Sequence, residues 1–552
     1  MFGRKTRHQR TQAPAIKAAP AAKRAPATKF AAAAARRPGL RGWRGRGQGE
    51  AVYVTAADEW RGTSVQVCGL WPFVGGSGTP ILGVPIGVHT DTGAPFGADP
   101  ISWFMHGMIN NPSMFVLGLP HYGKSTLVRH IVLGLAGRSI NPLILGDLKP
   151  DYVDLIEALG GQVISLGPGR GHLNVLDPGE ATGAAARLLA SAEEHRANAD
   201  RALNDPDGDQ AAAAQSLAAA VKAEKLAEQL MADSHNRRLN MITALITIVR
   251  NAKPSAHEES LIDRALHILD ERLDRVPLIG DLIEVIKDAP DELRAIALDR
   301  GDMSRYLDAT DQLRQSLYSL NGSGRFADMF SQPTDQPMDL TKPVVFDLSG
   351  ISDTQRDIQA ACLLACWSTG FATVQVAHTL ADAGLEPRRN YFVVMDELWR
   401  ALRSGEGMVD RVDSLTRLNR TEGVGQAMIT HTMSDLEALP TEAERMKARG
   451  FVERSGMVVC GALPGAEMEK LSKAVTLSRA EQARLISWAD PGSWTDVGGS
   501  RKRVRPGLGK FLFKVGGRPG IPVALKLTSV EERLHDTNKR WTLNRGNGEG
   551  ES

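Results

Sequence analysis

The chain has 552 residues, which excludes a single hydrophobic core and leads us to expect two or three domains. Hydrophobic residues make up 42%, enough for globular domains. The net charge of +2 hides an asymmetry. Of 66 basic and 64 acidic residues, 13 and one respectively lie within residues 1–50, leaving 53 against 63 in the remainder.

That arm is also rich in Ala and Pro. Pro14, Pro20, Pro26 and Pro38 interrupt any helix, so residues 1–50 read as a disordered basic arm attracted to DNA or anionic lipid. It has no apolar core of a secretory signal. No apolar run reaches the ~18 residues a membrane helix needs, so no integral membrane segment is expected. The expected location is cytoplasmic, with any membrane association peripheral on the cytoplasmic face. Cys68, Cys362, Cys366 and Cys460 lack nearby partner ligands and read as buried free thiols in a reducing compartment.

Residues 51–113 form a small β-rich N-terminal segment, in which Val65–Phe73 and Pro80–Val88 are apolar runs broken by Gly and Pro. Then comes Gly118-Leu119-Pro120-His121-Tyr122-Gly123-Lys124-Ser125-Thr126, which fits the phosphate-loop pattern G-x-x-x-x-G-K-[ST]. Gly118 and Gly123 let the backbone turn tightly beside a phosphate. Loop amides and the start of the next helix point at the anion. Lys124 supplies a cation for the β- and γ-phosphates of ATP, and the Ser125 hydroxyl a ligand for Mg²⁺. Pro120 removes one amide donor. Met114–Leu117 before the loop suits a buried strand, and Leu127–Leu135 after it has helical spacing.

Pro142–Asp147 and Gln162–Leu166 are further strands, so residues 114–180 read as the first part of a parallel α/β domain. Residues 181–335 carry little strand signal. They are Ala-rich and charged, with turn chemistry from Asn204 to Asp209, and read as an all-helical insertion. The strand pattern returns at Pro343–Leu348, Tyr391–Met395, Gln426–Thr430, Met457–Cys460, Gly509–Phe513 and Ile521–Leu525. Residues 336–540 are therefore the second part of the α/β domain, and 541–552 a disordered tail.

Tyr391–Met395 is apolar throughout, as a strand buried on both faces must be, and ends in Asp396-Glu397. In phosphate-loop ATPases such a carboxylate holds Mg²⁺ and the next activates water. Asp396 is assigned to the metal and Glu397 to the general base; a plain helix-start carboxylate pair is the alternative. Arg417 and Arg420 are candidate arginine fingers reaching a neighbouring subunit, against surface arginines on a helix. Arg454 is a weaker candidate. Thr430-His431 stands at a strand end where a γ-phosphate sensor would sit, and Lys149 could face the same site.

These elements together resemble the conjugative ATPases of type IV secretion systems (the TraC/TrbE/VirB-four type), within the HerA/FtsK class of RecA-like motors. The resemblance rests on the phosphate loop, Asp147–Tyr152, His172–Pro178, Gly324–Phe330, Val345–Ser349, Val394–Trp399 and Arg417–Thr430. It implies a RecA-like P-loop fold with an inserted all-α subdomain. It also implies an ATP-hydrolysing motor that works as a homo-hexamer against channel proteins at the inner membrane. A DNA-translocating coupling protein or FtsK/HerA-type pump is the alternative. The chain departs in having fewer than 120 residues before the loop, and in Thr430-His431 where many relatives have Thr-Gln.

Overall fold

The computed structural model describes residues 79–534, apart from 206–208, 323–324, 404–407, 418–422, 492 and 498–499, and apart from the side chains of 411, 414–417, 493–497 and 500–504. The basic arm, Val65–Phe73, Cys68, Arg420 and the C-terminal tail lie outside the described residues, as does the side chain of Arg417.

Thirteen strands occur among the described residues: β1 Pro85–His89, β2 Pro95–Gly97, β3 Ser113–Leu117, β4 Ile140–Asp147, β5 Gln162–Ser165, β6 Val344–Asp347, β7 Asn390–Met395, β8 Val424–Ile429, β9 Met457–Cys460, β10 Ser493–Val497, β11 Ser500–Val504, β12 Lys510–Lys514 and β13 Ile521–Leu525. Eleven form one sheet in the order β2-β1-β13-β12-β9-β3-β8-β7-β4-β6-β5, and β10 and β11 pair separately as a hairpin. From β9 to β5 every pairing is parallel. The other four strands extend the sheet antiparallel. The described part of residues 51–113 thus supplies β1 and β2 to the edge of this same sheet.

Burial on both faces explains the continuous apolar runs. Phe115 and Leu117 of β3, with Tyr391, Val393 and Met395 of β7, belong to one hydrophobic core. Met114 and Val116, with Phe392 and Val394, belong to a second core on the opposite face, with Leu127, Val128 and Ile131 of the helix Lys124–Ala136. Alternation of side chains along a strand sends neighbours to opposite cores.

One helix departs from expectation. Arg356–Asp382 is long and apolar enough, by length and composition only, to cross a membrane, although polar residues interrupt its apolar run. Its spacing was masked by scattered polar residues. Cys362, Leu363, Cys366 and Trp367 are buried in the same core as β4, and most of its apolar stretch is covered by the fold.

Between β5 and β6 the described residues are helical from Ala181 to Phe330, without strands. The helices Ala181–Asn204 and Gln210–Arg250 bury alanines seven residues apart, at 185, 192 and 199 in one and 213, 220 and 227 in the other. A small-residue seam at that period lets two helices approach closely.

Candidate nucleotide site

Four parallel strand ends lie side by side at the carboxyl edge of the sheet, where open α/β sheets bind ligands. β3 leads into the Gly118 loop, β8 into Thr430-His431, β7 into Asp396-Glu397 and β4 into Asp147 and the turn holding Lys149.

The loop is anchored first through its backbone. The Gly118 amide donates to the His431 carbonyl at 2.9 Å and the Leu119 amide to the Ala462 carbonyl at 2.9 Å. A Cβ on Gly118 would sit 3.2 Å from the Cα of Gly461, so side-chain-free residues let the two loops touch. Gly118 and Leu119 therefore hold the loop in place, and the amides after Pro120 are the ones that could cradle an anion. His121 has a positive φ of 65°, and Gly123, at φ 93°, caps the helix that carries Lys124, Ser125 and Thr126.

Lys124 is only 7% exposed. Its Nζ donates to the carbonyls of Gly118 at 2.7 Å and Leu119 at 3.2 Å, and lies 3.0 Å from His431 Nδ1. Burial pulls its pKa down to about 8, against the opposing pull of Asp396 and Glu397. His431 reaches the other way as well, its Nε2 lying 3.5 Å from Glu397 Oε2. Burial and then Lys124 hold the His431 pKa below its ordinary value. One imidazole thus bridges the loop lysine and the candidate base.

Glu397 adopts the left-handed conformation, at φ 52°, where β7 turns into the helix Leu398–Leu402. Trp399 Nε1 donates to its Oε2 at 2.6 Å, Lys149 Nζ to its Oε1 at 3.3 Å, and Arg400 Nε stands 3.7 Å away. Burial alone would raise its pKa. His431, Lys149, Arg400 and the indole together outweigh burial and keep the carboxylate below its ordinary range.

Asp396 accepts from the Glu397 amide at 2.8 Å and from the Tyr152 hydroxyl at 3.3 Å. Burial, then the charge of Glu397, push it up to about 7. Asp147, 2% exposed, accepts from the amides of Tyr152 at 2.7 Å and Asp151 at 3.2 Å, yet burial still drives it up to about 8. Crowded carboxyls pushed up in this way are the environment a divalent cation relieves. Thr430 Oγ1, buried at the end of β8, has no hydrogen-bond partner. The orphaned Thr430 hydroxyl, the crowded Asp396 carboxylate and the Ser125 hydroxyl are oxygen donors of the kind Mg²⁺ prefers.

The structure brings together Lys124, His431, Glu397, Asp396 and Lys149. The remaining candidates stand differently. Arg417 ends the helix Met408–Arg417. Arg454 is engaged within the chain: its Nη2 lies 2.5 Å from Asp413 Oδ1 and its guanidinium covers the Phe451 ring. Sequence reading missed Tyr152, Trp399 and Arg400 as site residues. It also missed the C-terminal return over the loop, where the Gly509 amide donates to the Tyr122 carbonyl at 3.2 Å and Arg505 Nη1 to the His121 carbonyl at 3.4 Å. The position of Trp399 and Arg400, two and three residues past Glu397, was the available signal. A cavity of about 730 Å³ beside the helix Arg356–Asp382, lined by Arg237, Asn240 and Phe371 among other residues, includes none of these site residues.

Neither a family model nor a curated protein matches the sequence. Among solved structures, VirB4 of Thermoanaerobacter pseudethanolicus matches over 83% of this chain and 100% of its own, at 15% identity and a TM-score of 0.57. The plasmid coupling protein TrwB in complex with ADP and Mg²⁺ matches over 82% and 91%, at 14% identity and a TM-score of 0.42. The chain shares its α/β, RecA-like P-loop fold, with a mainly parallel central sheet, with VirB4.

Proposed function

We propose that this chain is an Mg²⁺-dependent, ATP-hydrolysing motor that energises a type IV secretion or conjugative transfer apparatus. The observation that carries the reading is the bridge from Lys124 through His431 to Glu397, across the ends of three adjacent parallel strands. The fold shared with VirB4 supports the choice of apparatus. In this reading the chain works as a homo-hexamer beside channel proteins at the inner membrane, and its basic arm contacts DNA.

Mg²⁺ held by Asp396 and Ser125 would neutralise charge on the phosphates. The protein's own groups do the rest. Lys124 now spends its donors on loop carbonyls, and a γ-phosphate is a stronger, charge-assisted acceptor. Moving Nζ onto phosphate takes the donor away from His431 Nδ1, so His431 registers whether phosphate is present. Glu397 takes the proton of the water that attacks the γ-phosphorus as the bond to ADP breaks. Its partners keep it ionised and aimed beforehand. Arg417 or Arg420 of a neighbouring subunit would stabilise the charge that develops.

The test is the ATP hydrolysis rate of the full chain, with and without single- and double-stranded DNA, alongside native mass. The expected result is Mg²⁺-dependent hydrolysis by an oligomer. Absence of hydrolysis by the assembled oligomer would contradict the proposal, and strict dependence on duplex DNA would favour a DNA pump.

A further inference from the structure

Outside the nucleotide site, one cluster of metal-ligating side chains stands apart. His235 lies on the helix Gln210–Arg250, and Asp263 and His267 lie one turn apart on the helix Ala256–Arg272. Their ligand atoms all lie within 4.8 Å of one another. We propose that His235, Asp263 and His267 form a binding site for a divalent transition-metal ion, of the Zn²⁺ class, that staples these two helices.

Four observations support this. First, an imidazole–imidazole–carboxylate set favours Zn²⁺, Co²⁺ or Ni²⁺ over Ca²⁺ or Mg²⁺, which prefer oxygen ligands. Second, spacing and facing suit a shared ion. Residues four apart share a helix face, and His235 faces them from the neighbouring helix. Its Nε2 lies 2.8 Å from Asp263 Oδ1, and its ring stacks on that of His267 at 4.0 Å between centroids, 19° from parallel.

Third, a carboxylate stands near the outer nitrogen of His235. His235 Nδ1 is buried and without a hydrogen-bond partner, and it faces Asp270 Oδ2 at 3.9 Å. Metal-bound histidines commonly turn their other N–H toward a carboxylate in this way, which fixes the tautomer. Fourth, Asp270 is itself held, accepting from both Nη atoms of Arg238 at 2.7 and 2.5 Å. A ligand set of three leaves a further coordination position for water. His267 is exposed, which gives the ion a route in.

The site is independent of the nucleotide reading and is tested apart from it. Tag-free full-length protein without nucleotide is titrated with Co²⁺, read by its visible absorption, and with Zn²⁺, read by the thermal unfolding midpoint. Wild type should take up one equivalent with a raised midpoint, because an ion that binds only the folded state stabilises it. His267→Ala should unfold like wild type without metal and bind at least tenfold more weakly. Asp270→Asn, which leaves the three ligands in place, should weaken binding by about 10–100-fold. Asp396→Asn should bind Co²⁺ like wild type. Failure of wild type to bind stoichiometrically would overturn the proposal. So would unchanged binding in both His267→Ala and Asp270→Asn, or loss of the cobalt signal in Asp396→Asn.

Discussion

Lys124, His431 and Glu397 form a continuous line of contacts, 3.0 Å from lysine to imidazole and 3.5 Å from imidazole to carboxylate. Lys124→Ala should abolish measurable ATP binding, read by fluorescent-nucleotide titration; retention of near-normal affinity would remove Lys124 from the site. The pKa values set a pH window for the nucleotide-free protein. As pH rises through about 7, Asp396 loses the proton that competes with Mg²⁺; above about 8, Lys124 loses its charge. Mg-ATP affinity should therefore peak between those values, and a profile that changes in one direction only, from about pH 6 to about pH 9, would contradict the assignment. Asp147 makes a separate stability prediction. Its folded pKa of about 8 lies above the ordinary 3.8, so it ionises more readily unfolded, and stability falls as pH rises between those values. Asp147→Asn keeps an acceptor for only one of the two amides, a cost present at every pH, and removes that pH-dependent loss. Its melting temperature relative to wild type should therefore rise between about pH 5 and about pH 8, and a difference that stays constant over that range would contradict the assignment. At this scale local patterns anticipated that Gly123, Lys124, Asp396 and Glu397 lie at neighbouring strand ends. Tyr152, Trp399 and Arg400 were hidden because their roles come from packing between strand ends, which local spacing does not encode.

Strands buried on both faces write long apolar runs, which is why β3, β4 and β7 were legible from residues alone. β10 and β11 were not, since Ser500 to Val504 is mostly polar and charged. The cluster of His235, Asp263 and His267 was equally hidden, because residues on two helices share a face only once those helices pack. The helix Arg356–Asp382 packs against the sheet. Its seat on β4 gives the prediction for this scale. A Cβ on Gly370 would meet Leu145 Cδ2 at 2.4 Å, so the helix packs at glycine distance. Gly370→Ala should destabilise the protein by about 1–3 kcal/mol through overpacking, read as a lower urea midpoint. An unchanged midpoint would mean that helix and strand slide apart freely at this contact.

For the whole molecule, the proposed arginine finger makes hydrolysis a property of the assembly, worth roughly 10³-fold or more in turnover. Turnover should rise more steeply than linearly with protein concentration. Lys124→Ala subunits keep their fingers, and Arg417→Ala or Arg420→Ala subunits keep their loops, so mixed rings should regain activity that neither has alone. Mixed rings with no recovery would place the finger elsewhere. Arg454 is a poor replacement, since it is tied to Asp413. The arm, with 13 basic residues in the first 50, should bind DNA with a strong salt dependence, and deleting residues 1–47 should flatten that slope; an unchanged slope would remove the arm from DNA binding. The most direct test of the motor itself is phosphate release by wild type and Glu397→Gln at equal ATP occupancy. The expected result is full occupancy in both, with turnover in Glu397→Gln lower by about 10²–10⁴-fold. Equal turnover in the two proteins would contradict hydrolysis at this site by this base.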